Sequence, residues 1–152
     1  MIEFVKTEKA PTPGLYNQGI LSSGSKYLFI AGQTGNISGV EGEPVIEGGI
    51  GPQTTQALKN LVAIVERAWR KYTWTEPAKC FVAIDIFLKD PGTPEARTTQ
   101  RELFNAAYEA FFREYGISKN ELPARCMVWV SEVPLESPLE DTVVEIKGIA
   151  AI

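Results

Sequence analysis

CFVAIDIFL, residues 80–88, decides how this chain of 152 residues folds. Val82, Ile84, Ile86 and Leu88 fall on one side of an extended backbone and Ala83, Asp85 and Phe87 on the other, the alternation of a strand buried on at least one face. A helical pattern stands on either side of it. Upstream, from Gly51 to about Lys71, Leu58, Leu61, Val62, Val65, Ala68 and Trp69 recur at spacings of three and four and form one apolar stripe. Downstream, from about Thr98 to Tyr115, Leu103, Ala107, Ala110, Phe111 and Tyr115 form a second stripe, which Gly116 ends. A helix with one stripe has one face to bury, so both helices belong on one side of a sheet.

Further strands complete that sheet. Tyr27 to Gln33 is a nearly continuous apolar run and is expected to be a central strand, preceded by a short strand from Gln18 to Ser22 and the turn residues Ser23-Gly24-Ser25. Lys9 to Leu15 is a proline-rich loop, and Asn36 to Gly51 is a long surface loop with one short strand at Pro44 to Glu47. Ala124 to Ser131 and Thr142 to Ala151 are the last two strands. The order β-β-α-β-α-β-β predicts an α+β fold, a mixed sheet with two helices on one face, in a single domain over residues 1–152.

Composition narrows the function. The chain carries 15 Lys and Arg against 19 Asp and Glu, a net charge of −4, and its basic residues cluster no further than Arg67 to Lys71. That leaves no phosphate-backbone footprint, so nucleic acid is not an expected partner. No stretch is apolar for long enough to span a bilayer and no basic leader opens the chain, so a cytoplasmic, membrane-independent protein is expected. Histidine is absent, which removes the commonest general base and metal ligand. Neither a metal nor a cofactor is expected, and chemistry must rest on Arg, Glu, Asp, Tyr, backbone and water. Cys80 and Cys126 both read as reduced core residues.

Arg125, in Leu122-Pro123-Ala124-Arg125-Cys126, and Glu145, in Val143-Val144-Glu145-Ile146, are the candidate reaction centre. A guanidinium at the mouth of a strand grips a carboxylate bidentately, and a glutamate beside the bound acid can hold a water against a polarised C=N bond. The bland alternative is a structural ion pair at a sheet edge. Strand alternation groups Arg125, Met127, Trp129 and Ser131 on one face and turns Cys126 away from the site. It also groups Glu145 with Lys147, opposite Val144, Ile146 and Ala150 under the helices. A mixed outer face carrying Met127, Trp129 and charges calls for cover by further copies of the chain.

Several ordered segments resemble the RidA/YjgF group of enamine/imine deaminases across nearly the whole chain. They are Ala10-Pro11 with Gly14-Leu15-Tyr16-Asn17-Gln18-Gly19, Ile30-Ala31-Gly32-Gln33, and Gln53-Thr54-Thr55-Gln56-Ala57-Leu58-Lys59-Asn60-Leu61. Phe87-Leu88-Lys89-Asp90, Phe104 to Phe112, Pro123-Ala124-Arg125 and Val144 to Ala150 complete the match. The resemblance implies a chorismate-mutase-like α+β fold and a homotrimer around a central barrel, with a site in each cleft between subunits. It implies that Arg125 binds the substrate carboxylate and Glu145 positions the attacking water. Tyr16 and Asn105 would line the cleft, and the backbone around Ala31, Gly32 and Cys126 would bind ligand. Tyr16 could equally be a loop anchor and Asn105 a packing amide.

The implied reaction hydrolyses a 2-imino or enamino carboxylic acid to the 2-keto acid and ammonia, without a cofactor. The implied partner is that small carboxylate. Ala31 stands where many relatives carry serine, and Arg125-Cys126-Met127 where Arg-Ser-Cys or Arg-Ser-Ala is common. The stretches 69–77 and 132–141 also look longer than the family pattern. Two alternatives follow: a trimer that binds a keto acid without turnover, or a deaminase for a larger unsaturated substrate shaped by Met127 and Trp129.

Overall fold

A computed structural model describes residues 2–11, 17–22, 27–69, 76–133 and 141–152. Six strands and two α-helices follow in chain order, beside short 3₁₀ turns at Pro77–Cys80 and Lys119–Glu121: β1 (Ile2–Val5), β2 (Gly19–Ser22), β3 (Tyr27–Thr34), α1 (Ile50–Trp69), β4 (Phe81–Lys89), α2 (Pro94–Glu114), β5 (Ala124–Val130) and β6 (Val144–Ala151). The strands make one sheet in the order β1-β2-β3-β6-β4-β5, antiparallel throughout except for the parallel pair β4/β5. Strand β1 was not foreseen, and the strand expected at Pro44 to Glu47 is reduced to one bridge between Asn36 and Val45.

Topology explains why both helices share a face. Strands β3, β4 and β5 run parallel to one another, with β6 inserted antiparallel between the first two. Parallel strands need a crossover, and α1 and α2 supply the two crossovers. Both steps go the same way across the sheet, so with uniform right-handed connections both helices land on one side.

The stripe read for α1 is the buried one: Leu58, Leu61, Val62, Val65 and Ala68 all lie in the core with Leu28, Ile84 and Ile146. The stripe read for α2 holds at Phe111, which is buried, and at Tyr115, which packs on the core, but not at Leu103. Leu103 is 52 % exposed, and Phe104, Tyr108 and Phe112 join Phe111 in the core. These aromatics recur at four, three and one along the helix, and their bulk outweighs the Leu and Ala positions chosen from sequence. Helix α2 also starts earlier than read, with Thr93 capping Ala96 N–H and Pro94 in the first turn. It ends as expected at Gly116, whose φ of 68° lets Gly116 N–H reach Arg113 O at 2.9 Å and Ile117 N–H reach Phe112 O at 3.1 Å.

A bulge between Phe81 and Ala83 corrects the face reading of β4. Phe81 turns into the core and Val82 out to solvent, while Ile84, Ile86 and Leu88 stay buried. Three buried amides then clamp the elements together. Asn60 Nδ2 donates to Thr34 O at 3.1 Å and Asn36 O at 3.0 Å, and Gln53 bridges Asp141 O and Val143 N, each at 2.9 Å. Gln18 Nε2 donates to Thr7 O, Ala10 O and Pro11 O, fixing the N-terminal loop against β2.

The sheet face away from the helices is more apolar than expected. Phe4, Ile20, Phe29 and Ile149 stand opposite one another across four strands, with Phe4 63 % and Phe29 47 % exposed. Such a row exceeds the scattered single hydrophobics of an ordinary surface.

Candidate functional site

Arg125 lies on the edge strand β5, opposite Ile84 of β4. Partners in a parallel ladder share a face, and Ile84 is fully buried under the helices, so Arg125 points to the helix side. There its Nη2 donates to Asn105 Oδ1 of α2 at 2.9 Å. The guanidinium carbon lies 5.1 Å from the Tyr108 ring centroid and 6.0 Å from that of Phe104. Arg125 is nevertheless exposed, so a carboxylate can reach it.

The parity grouping of Arg125 with Met127 and Trp129 holds, but the face assigned to them does not. Met127 packs against the core, and Trp129 Nε1 donates to Gln100 Oε1 of α2 at 2.9 Å. Both therefore belong to the helix side, because β5 continues the buried rows of β4 beneath α2. Cys126 does point away from Arg125. It is exposed rather than in the core, because the sheet's second face has no helix over it, whereas Cys80 is buried as expected.

Glu145 faces the opposite side, between the buried Val144 and Ile146 and across from Phe87. Its carboxylate lies on Gly32: a Cβ built there would meet Oε1 at 1.8 Å and Cδ at 2.6 Å. Only a residue without a side chain leaves that space. Ala31 and Gly32 form a bulge, since the β3/β6 ladder runs from Ile30 to Gln33 without them. Bulges of this kind re-aim backbone and side chains next to functional sites. Burial pushes the Glu145 carboxyl above the usual carboxylate range.

Arg125 and Glu145 do not meet within one chain. The row of Arg125 runs through Ile84 to Gly148, three residues along β6 from Glu145, and β5 and β6 are two strands apart. These offsets amount to roughly 10 Å in each direction, with the sheet between them. That excludes the sheet-edge ion pair and a ligand shared inside one chain. Asn105 belongs with Arg125, and Ala31 and Gly32 with Glu145. Tyr16, the loop 70–75 and the stretch 134–140 lie outside the described residues. Among the described residues, no group of three or more Cys, Asp or Glu side chains converges as a metal site would require, and no helix is long and apolar enough to cross a membrane.

Residues 7–152 match the sequence profile of the Endoribonuclease L-PSP family. The chain belongs to that family, the RidA/YjgF group. A RutC family protein from Pyrococcus horikoshii is 35 % identical over 151 residues, covering 99 % of this chain and 98 % of its own. A rat protein named 2-iminobutanoate/2-iminopropanoate deaminase is 28 % identical over 145 residues, 95 % of this chain and 89 % of its own. The crystal structure of the YjgF gene product of E. coli superposes with a TM-score of 0.74 at 30 % identity, over 98 % of each chain. The α+β fold with two helices on one face is therefore the YjgF fold.

Sequence reading missed the aromatic platform of this L-PSP chain. Phe104 and Tyr108 stack on each other, centroids 5.7 Å apart, under the guanidinium. The i, i+4 spacing of two aromatics flanking Asn105 was the available signal.

Proposed function

We propose that this protein hydrolyses a 2-imino or enamino carboxylic acid to the 2-keto acid and ammonia, acting as a homotrimer whose sites lie between copies. The observation that carries the reading is the Glu145 carboxylate, desolvated and seated on Gly32 in a bulged strand. The name of the rat relative supports the substrate class. Arg125 and Glu145 are half-sites on opposite faces, so a second copy must bring the missing half, and the apolar row of Phe4, Ile20, Phe29 and Ile149 offers the surface for it.

Arg125, braced by Asn105, holds the substrate carboxylate and so fixes the adjacent C=N carbon. The partner copy's carboxylate at position 145 takes a proton from a bound water as its oxygen adds to that carbon, and gives the proton to the imine nitrogen to complete a carbinolamine. It then takes the carbinolamine hydroxyl proton as the C=O forms and hands it to the departing nitrogen, which leaves as ammonia. An enamine first gains a proton on carbon and loses one from nitrogen to become the imine. A carboxyl with a raised pKa suits both halves of this transfer better than an ordinary glutamate. Backbone groups of Gly32 and of the edge strand at Cys126 would complete the cradle. The ribonuclease activity in the family's name does not suit this chain, whose net charge of −4 and lack of histidine leave neither a phosphate footprint nor the usual base.

The test generates imines in situ from a panel of amino acids with an amino-acid oxidase and follows keto acid and ammonia release. Clearance by the wild type and not by Arg125→Ala is expected. No clearance across the panel by an intact assembly would refute turnover and leave keto-acid binding, the reading that Ala31 otherwise favours.

A further inference from the structure

We infer that Tyr108 is a positioning residue for Arg125, its ring face setting the direction in which the guanidinium presents its donors to a carboxylate. The inference rests on the carboxylate-binding role proposed for Arg125. Among the described residues, one hydrogen bond restrains the Arg125 head, the 2.9 Å bond to Asn105 Oδ1 of α2. A single bond leaves a guanidinium free to pivot about the donor. The second restraint is the Tyr108 ring, 5.1 Å from Cζ, with Phe104 at 6.0 Å. Tyr108 is 2 % exposed, stacked on Phe104 and tilted against Phe112 at 4.8 Å between centroids, so its own orientation is locked.

The contact is one of ring quadrupole with cation, not of phenolate with cation. Burial pushes the Tyr108 hydroxyl up to about 12, with the Arg125 charge pulling weakly the other way, so the phenol is neutral wherever the enzyme works. The hydroxyl itself has no hydrogen-bond partner among the described residues. The ring, rather than the oxygen, therefore carries the effect, and of the five N–H donors of Arg125 one is engaged by Asn105 among the described residues, which leaves donors for the ligand.

The experiment measures binding of 2-oxobutanoate by calorimetry, beside ammonia release from 2-iminobutanoate. Tyr108→Phe keeps the platform and loses only an unpartnered hydroxyl, so its affinity stays within about twofold of wild type. Placing 3,4,5-trifluorophenylalanine at position 108 keeps the shape but cancels much of the ring's negative face. It should weaken 2-oxobutanoate binding about tenfold, the scale of a partly desolvated cation–π contact. KM should rise and kcat change less, and the melting temperature should match Tyr108→Phe. Equal affinity in the phenylalanine and trifluorinated proteins, with Arg125→Ala binding lost, overturns the role of Tyr108 alone. Unchanged affinity in Arg125→Ala overturns the carboxylate reading and this inference with it.

Discussion

Gly32→Ala tests the placement of the glutamate more directly than changing the glutamate itself. The backbone at Gly32 is not left-handed, so alanine is conformationally allowed there. Its methyl carbon would nevertheless stand 1.8 Å from Glu145 Oε1 and 2.9 Å from Cγ. Non-bonded contact needs roughly 3.5 Å, so the carboxylate must retreat by about 1.7 Å. A shift of ~1 Å in a catalytic group costs on the order of a hundredfold in rate. Stability should barely move, because the lower entropy of the unfolded alanine chain, about 0.4–1 kcal/mol, offsets an off-rotamer cost at Glu145 of about 0.5–1.5 kcal/mol. Expected together are a kcat on the order of a hundredfold lower, 2-oxobutanoate affinity nearly unchanged because Arg125 is untouched, and a urea midpoint close to wild type. Wild-type turnover in a folded Gly32→Ala protein would show that the seat on Gly32 is not the working position of Glu145, and the mechanism would fall.

Three further outcomes are expected. Asn60→Ala strips the partners from two buried carbonyls at the end of β3 and should cost about 2–4 kcal/mol in denaturant unfolding; a loss under ~1 kcal/mol would mean the clamp is redundant. Phe29→Glu, in the centre of the exposed row, should leave the circular dichroism intact while sedimentation shows a smaller species; unchanged assembly would place the interface elsewhere. Glu145 has a folded pKa raised by burial, so the folded state keeps this proton over a window where the unfolded chain has lost it. Its contribution to stability is thus greatest at low pH and declines as pH rises through that window, while activity, needing the carboxylate, rises across it. An acid limb of kcat/KM at or below ordinary glutamate values would contradict this.

Much of the architecture was legible because α1, β6 and β4 from Ile84 onward write their burial into period. Leu58 to Ala68 and Val144 to Ala150 were read onto the correct faces. Helix α2 was read correctly at Phe111 and not at Leu103, since Leu103 and Phe104 are both large and apolar and only the position of the sheet decides between them. Parity was likewise sufficient to separate Arg125 from Cys126, yet it could not say which of the two faces lies under the helices. Pairing β5 in parallel with Ile84 settles that, and no local signal in Ala124 to Val130 announces its partner. The bulges at Ala31–Gly32 and Val82 are set by neighbouring strands, so alternation alone misplaces Val82. Arg125 and Glu145 stood out by chemical type, whereas their separation by the sheet is a fact of topology.

That separation has a genetic consequence. If each reaction centre takes its arginine from one chain and its glutamate from another, Arg125→Ala and Glu145→Gln are complementary lesions. Each is inactive when purified alone. Unfolded together in equal amounts and refolded, they should assemble at random, and about a quarter of the centres should unite an intact Arg125 with an intact Glu145. Two dead preparations would then yield a living mixture, and simple mixing without subunit exchange would not.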